Sequence, residues 1–125
     1  MRGSTERRRK AERRGRWAES LCLWSLRLRG YRILARDYRV AVGEIDILAR
    51  RGGTLAAIEV KARPDRASAS AAVTPRQRHR IMRAAAHFLS GRPDLARLAL
   101  RFDVMLVLPG QLPLHLTDAW REGDR

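Results

Sequence analysis

The stretch EIDILARRGGTLAAIEVKA, residues 44–62, decides the fold. Two runs rich in isoleucine, leucine, alanine and valine flank Arg50-Arg51-Gly52-Gly53, a turn signal, so the stretch predicts a β-hairpin. With Gly52 and Gly53 as the two turn residues, Asp46 lies opposite Glu59 and Glu44 opposite Lys61. A four-residue turn centred on the same point keeps that pairing, whereas an odd-numbered turn shifts it by one. Facing side chains leave the same side of a sheet with Cβ atoms about 4.5–5.5 Å apart. Strand alternation adds Lys61 to the face of Glu59 and turns Ile45, Ile47, Ile58 and Val60 to the other.

Two opposed carboxylates repel and cost stability unless a cation sits between them. Hard divalent cations such as Mg²⁺ take carboxylate and carbonyl oxygens plus several waters. They polarise a phosphoryl oxygen and generate a hydroxide nucleophile. A neighbouring lysine orients that water or offsets charge on the phosphate. A blander reading stands beside this one: an edge hairpin of solvated charges, with Asp46 pairing an arginine and Glu59 pairing Lys61.

Outward from the hairpin, residues 31–39 read as a further strand. Before it, residues 12–29 form a proline-free helical run that Gly30 stops. This helix is apolar on two sides: Trp17, Leu21, Trp24 and Leu28 recur on one, and Cys22, Leu26 and Leu23, with Glu19, share the other. Burial between layers is the expectation for both faces, with a homodimer contact as the second reading. Beyond the hairpin, residues 63–73 read as a loop. Thr74 caps a helix with Pro75 in its first turn, buried along Ile81, Ala85, Phe88 and Leu89 and ended by Gly91 and Pro93. A short turn at 94–98 precedes strands at 100–108 and 114–117. The order αβββαββ predicts an α/β layer fold with a mixed sheet flanked by helices. One domain is expected at 13–121, with a basic flexible tail at 1–12 and a short tail at 122–125.

A chain of 125 residues accommodates one domain. No apolar run approaches a membrane span. The basic N-terminus lacks the apolar stretch and cleavage site of a secretory signal, so a cytoplasmic location is expected. Cys22 alone supports neither an internal disulfide nor a Cys-rich zinc site. The formal charge of +14 favours a polyanionic partner, nucleic acid foremost. All but two of the 27 basic residues are arginine. The two lysines, Lys10 and Lys61, therefore stand out as places where an arginine fork would not serve. Arg76, Arg80 and Arg83 make one stripe of the second helix with Arg78 to the side, a face suited to phosphates without base reading.

At the hairpin residues a family resemblance enters. Gly43-Glu44-Ile45-Asp46, followed thirteen residues after Asp46 by Glu59-Val60-Lys61, resembles the PD-(D/E)XK nuclease signature. More closely, the chain is similar to the bacterial YraN-like family, whose fold is that of restriction endonucleases and archaeal Holliday-junction resolvases. Glu19 on the first helix, Ala62-Arg63, Val73-Thr74-Pro75-Arg76-Gln77 and Arg101-Phe102-Asp103-Val104 extend the resemblance over residues 13–121. It implies that Asp46, Glu59 and the Val60 carbonyl ligate Mg²⁺ or Mn²⁺ and that Lys61 positions the attacking water. Glu19 would complete the site directly or through a water, and Gln77 would be a polar accessory residue. The segment between Arg63 and Val73 is short and lacks the Phe-Gly of many relatives.

His79, His87 and His115 lack metal-ligand spacing and read as surface or boundary residues. Cys22 reads as a buried thiol, and Asp103 as an ion-pair partner within the fold. Trp17 and Trp24 read as core or interface residues before base-stacking ones. Three functions remain: a metal-dependent endonuclease on branched or structured DNA, a catalytically silent nucleic-acid binder on the same frame, and an interaction module using the tryptophan face.

Overall fold

The computed structural model describes residues 2–65 and 73–121, with side chains from Gly15 onward. The chain runs α1 (Arg2–Leu28), β1 (Arg32–Val40), β2 (Gly43–Arg51), β3 (Thr54–Ala62), α2 (Pro75–Ser90), a 3₁₀ turn (Pro93–Leu95), β4 (Ala99–Val107) and β5 (Leu114–Trp120). The expected order αβββαββ holds. α1 takes in the residues read as a tail at 1–12 from Arg2 onward, and β5 runs past the expected 117. Most of the loop expected at 63–73, and the tail at 122–125, lie outside the described residues. No helix of the described residues is long and apolar enough to cross a membrane.

Local chemistry sets each boundary. Gly30, with φ 87°, ends α1, where the Tyr31 N–H donates to the Leu26 carbonyl and the Gly30 N–H to that of Arg27. These are the two bonds of a Schellman cap. Gly52, with φ 58°, turns the β2–β3 hairpin as a two-residue connection. Thr74 caps α2 in a reciprocal box: its hydroxyl accepts from the Gln77 N–H, and its own N–H donates to Gln77 Oε1.

The five strands lie in the order β1-β2-β3-β4-β5. All neighbours are antiparallel except β3 and β4, which α2 joins as a parallel crossover. β1 and β5 are the edges, and each carries a non-glycine residue at positive φ, Asp37 at 49° and Asp118 at 53°. Successive β3 residues alternate between two cores. Ala56 and Ile58 join Ala18, Cys22, Leu23 and Leu26 of α1. Leu55 and Ala57 join Ile81, Ala84 and Ala85 of α2. Leu26 and Ile47 are fully buried, each contributing roughly 1.5–3 kcal/mol.

Two packing expectations are corrected. The outer face of α1 is bare: Trp17 and Trp24 are both 64% exposed and Leu28 is 85% exposed. α1 and α2 lie on opposite faces of one sheet, and among the described residues no third layer covers that outer face. His115, read as a surface or boundary residue, has a side chain only 2% exposed and bonds Asp103 at 2.8 Å. Asp103 itself serves the fold, as expected. It accepts both Arg101 guanidinium bonds at 2.8 Å and the Asp118 N–H at 2.9 Å.

Candidate active site

The β2–β3 register runs from Arg51↔Thr54 to Ile47↔Ile58, the alignment expected from the Gly52-Gly53 turn. Beyond Ile47↔Ile58 no backbone pair joins the two strands among the described residues, although both continue. The Val60 N–H instead donates to Asp46 Oδ2 at 2.8 Å. A carboxylate has replaced a backbone acceptor, and the strands fork there. The fork also corrects the expected alternation. Ile45 belongs to the α2-side core and Ile47 to the α1-side core, so the two isoleucines do not share a face.

Gly43 holds the far end of β2 against α2. A Cβ built there would sit 1.8 Å from the Arg80 carbonyl oxygen, so only glycine allows the approach. Gly43→Ala should destabilise the fold by about 3 kcal/mol, measured by chemical denaturation. A wild-type midpoint would refute the contact.

The acidic groups meet across the fork. Asp46 and Glu19 line one cavity of about 410 Å³ on the α1 side, with Asp37 and Arg16. Glu59 borders a small cleft on the α2 side with Glu44, Gln77 and Arg80. Asp46 and Glu59 are near enough for each carboxyl to shift the other. Lys61 Nζ lies 3.4 Å from Glu59 Oε1, both side chains largely buried. Glu44, expected to face Lys61, pairs with Arg39 of β1 and is exposed.

The electrostatics are those of an under-compensated anionic site. Burial pushes the Asp46 carboxyl up, against the pull of the Val60 N–H and Lys61. Burial, then the Asp46 charge, pushes Glu59 up to about 7. Burial, then Asp37 and Asp46, raises Glu19 despite Arg36 at 3.7 Å. Cys22 is buried behind them, its thiol pushed up to about 12 by burial and the same carboxylates, which leaves it inert.

This charge has a measurable cost. Glu59 takes a proton near 7 when folded, against an ordinary 4.5, so the native state binds that proton more readily than the unfolded chain. Without metal the fold gains stability as pH falls from 7 to 4.5 and carries the full penalty above 7. Near pH 8 in EDTA, Glu59→Gln should be more stable than wild type by up to about 3 kcal/mol. The advantage should vanish near pH 4.5. Melting curves that match at both ends would refute it.

The donor set fits a hard divalent cation. Two adjacent carboxyls, both raised and with one ammonium between them and neutrality, are the environment such an ion relieves. Among the described residues no three His, Cys, Asp or Glu side chains close into a cage. Mg²⁺ does not require one, since it is commonly held by one or two carboxylates and waters.

The remaining candidates divide. The Gln77 oxygen is engaged in the α2 cap while its side chain borders the Glu59 cleft. Arg80 borders that same cleft, and Arg76 and Arg83 are exposed. Arg78 faces inward instead, its guanidinium 5.7 Å from the Trp120 ring. Sequence reasoning missed Asp37. The pairs Arg36↔Ile47 and Tyr38↔Ile45 set it across from Asp46, a position legible only once the β1–β2 register is known.

Comparison with known proteins places the chain in a family. The model of uncharacterised protein family UPF0102 matches residues 18–107. The chain belongs to that family. A UPF0102 protein of Maricaulis maris is 52% identical over 120 residues, covering 96% of this chain and 94% of the relative. A UPF0102 protein of Parvibaculum lavamentivorans is 51% identical over 111 residues, 89% and 84% of the two chains. One of Paramagnetospirillum magneticum is 50% identical over 115 residues, 89% of each. The UPF0102 match spans Glu19, Asp46, Glu59, Lys61 and Gln77 alike.

Proposed function

We propose that this chain is a Mg²⁺- or Mn²⁺-dependent endonuclease with a restriction-endonuclease-like core. It hydrolyses phosphodiester bonds in DNA, branched or structured DNA being the substrate class the sequence resemblance implies. The observation that carries the reading is the meeting of Asp46 and Glu59 at the strand fork, both carboxyls raised, with Lys61 3.4 Å from Glu59. A cytoplasmic location accords with such a substrate.

When bound, the cation would lower the pKa of a water and neutralise charge on the phosphate. Asp46 and Glu59 would hold it, with the Val60 carbonyl. Lys61 orients the attacking water, whose oxygen bonds phosphorus as it gives one proton to solvent, while the bond to the leaving ester oxygen breaks and that oxygen takes a proton from solvent. Glu19 reaches the same cavity from α1 and steadies the water shell. Arg76, Arg80 and Arg83 neutralise flanking phosphates on a chain of charge +14.

The second reading is a nucleic-acid binder that does not cleave. The Lys61–Glu59 ion pair favours it, because it satisfies two of the site's charges without metal. Labelled four-way junction, flap, duplex and single-stranded DNA, incubated at matched low salt with Mg²⁺, Mn²⁺ or EDTA, separate the two. Metal-dependent cutting supports the nuclease. Binding of these DNAs without cutting under any metal supports the binder.

A further inference from the structure

The bare outer face of α1 adjoins the candidate active site. Around Trp17 it meets the ends of β3 and β4 in a cavity of about 460 Å³ walled by Trp17, Arg63, Pro64, Leu108 and Pro109. Ala18 and Ala62 border both this cavity and the one containing Glu19 and Asp46, so the two are adjoining parts of one cleft. We propose that the Trp17 cavity seats an unpaired nucleobase beside the phosphodiester held at the carboxylates. The substrate is then a nucleic acid with single-stranded nucleotides at the point of cleavage, not uninterrupted duplex. This rests on the nuclease reading and narrows it.

Three observations carry the assignment. First, the cavity has the volume of a small-molecule site and walls of indole, proline and leucine, surfaces that receive a flat aromatic ring. Base stacking on an aromatic side chain tolerates every base, because each has a π face. Second, arginines stand where the connecting backbone would run: Arg63 borders the base cavity and Arg16 the carboxylate cavity. Third, Trp24 lies seven residues further along the same face, about 10.5 Å along the helix axis, with the Arg27 guanidinium 5.8 Å from its ring. It forms a second platform for the same strand. A base within a duplex reaches such a cavity only by leaving the stack, at a cost an unpaired nucleotide avoids.

A second copy of the chain suits this face less well. Arg16 and Arg27 flank the tryptophans, so apposing two such faces brings like charges together in a protein already at +14. A polyanion is the complementary partner.

The test measures binding of the full chain, in EDTA, to a labelled oligothymidylate and to a blunt duplex of equal length. Trp17→Ala and Trp17→Phe run beside wild type, with 2-aminopurine in a parallel oligonucleotide to report stacking. Trp17 is exposed, so the variants should melt as wild type does. Trp17→Ala should weaken single-strand binding about tenfold and leave duplex binding within about twofold. It should also abolish the 2-aminopurine quenching that Trp17→Phe retains. Equal affinities with unchanged quenching, or parallel loss on both DNAs, would overturn the proposal. So would light scattering that shows a wild-type dimer split by Trp17→Ala, which would assign the face to a second copy. No metal or cleavage enters these measurements, so their outcome is separate from that of the nuclease reading.

Discussion

Asp46→Ala should slow metal-dependent DNA cleavage by about a thousandfold or more while metal-free DNA binding stays within about threefold of wild type. The asymmetry follows from position. Asp46 is mostly buried at the fork, fixed by the Val60 N–H at 2.8 Å and next to Glu59. Removing it would take away a proposed metal ligand and the charge beside Glu59, but no cation that would face a phosphate. Affinity should even rise slightly as negative charge leaves a polyanion-binding surface. Lys61→Ala should cost about a hundredfold, because orienting a water contributes less than holding the ion. Single-turnover cleavage and fluorescence anisotropy on the same preparations check both statements. An Asp46→Ala protein that cuts at the wild-type rate would remove Asp46 from the site.

Asp103→Ala should produce the largest loss of stability in the molecule, about 3–5 kcal/mol. The carboxylate is fully buried and accepts from Arg101, His115 and the Asp118 N–H, while Arg101 also donates to the Tyr31 hydroxyl at 2.6 Å. Its removal leaves a buried imidazole and a half-buried guanidinium without their shared acceptor. Domains of this kind are stable by about 5–15 kcal/mol, so the melting temperature should fall by on the order of 10–20 °C. Asp103→Asn keeps the shape and should lose less. The pH dependence has a definite sign. Burial pushes the Asp103 carboxyl up, and the bonds from His115, Arg101 and Asp118 outweigh it, holding the carboxyl below its ordinary 3.8. Its contribution is complete above that ordinary value and drains away as pH falls through the lower folded value. The variants should therefore show a flatter acid limb than wild type. Superimposable acid melts would refute the account.

Much of the site was legible because a two-residue glycine turn counts out a register. From Gly52-Gly53 the register runs to Ile47↔Ile58 and carries Asp46, Glu59 and Lys61 to the same end of the hairpin, and helical spacing brings Glu19 inward with Cys22 and Leu26. What the sequence hid depends on neighbours it does not name. Asp37 joins the carboxylates through a β1–β2 register that shifts between Ile33 and Ala35, a break no residue pattern announces. Ile45 changes face because the Asp46 carboxylate displaces a backbone bond. Apolar periodicity marked both sides of α1 equally, yet periodicity cannot say how many layers a fold has. Among the described residues there is one helix per sheet face, so one side of α1 is covered and the tryptophan side is not.

The two kinked aspartates on the outermost strands carry a further consequence. An open sheet edge is a template on which a foreign strand can grow, and proteins blunt such edges with charge and irregular backbone. β1 presents Arg32, Arg36 and Arg39 around Asp37, and β5 breaks its ladder near Asp118. Left-handed backbone at an L-residue interrupts the flat row of donors and acceptors that polymerisation needs. Strand recruitment is thus disfavoured at both edges, which leaves the helices and the cleft as the better docking surfaces among the described residues.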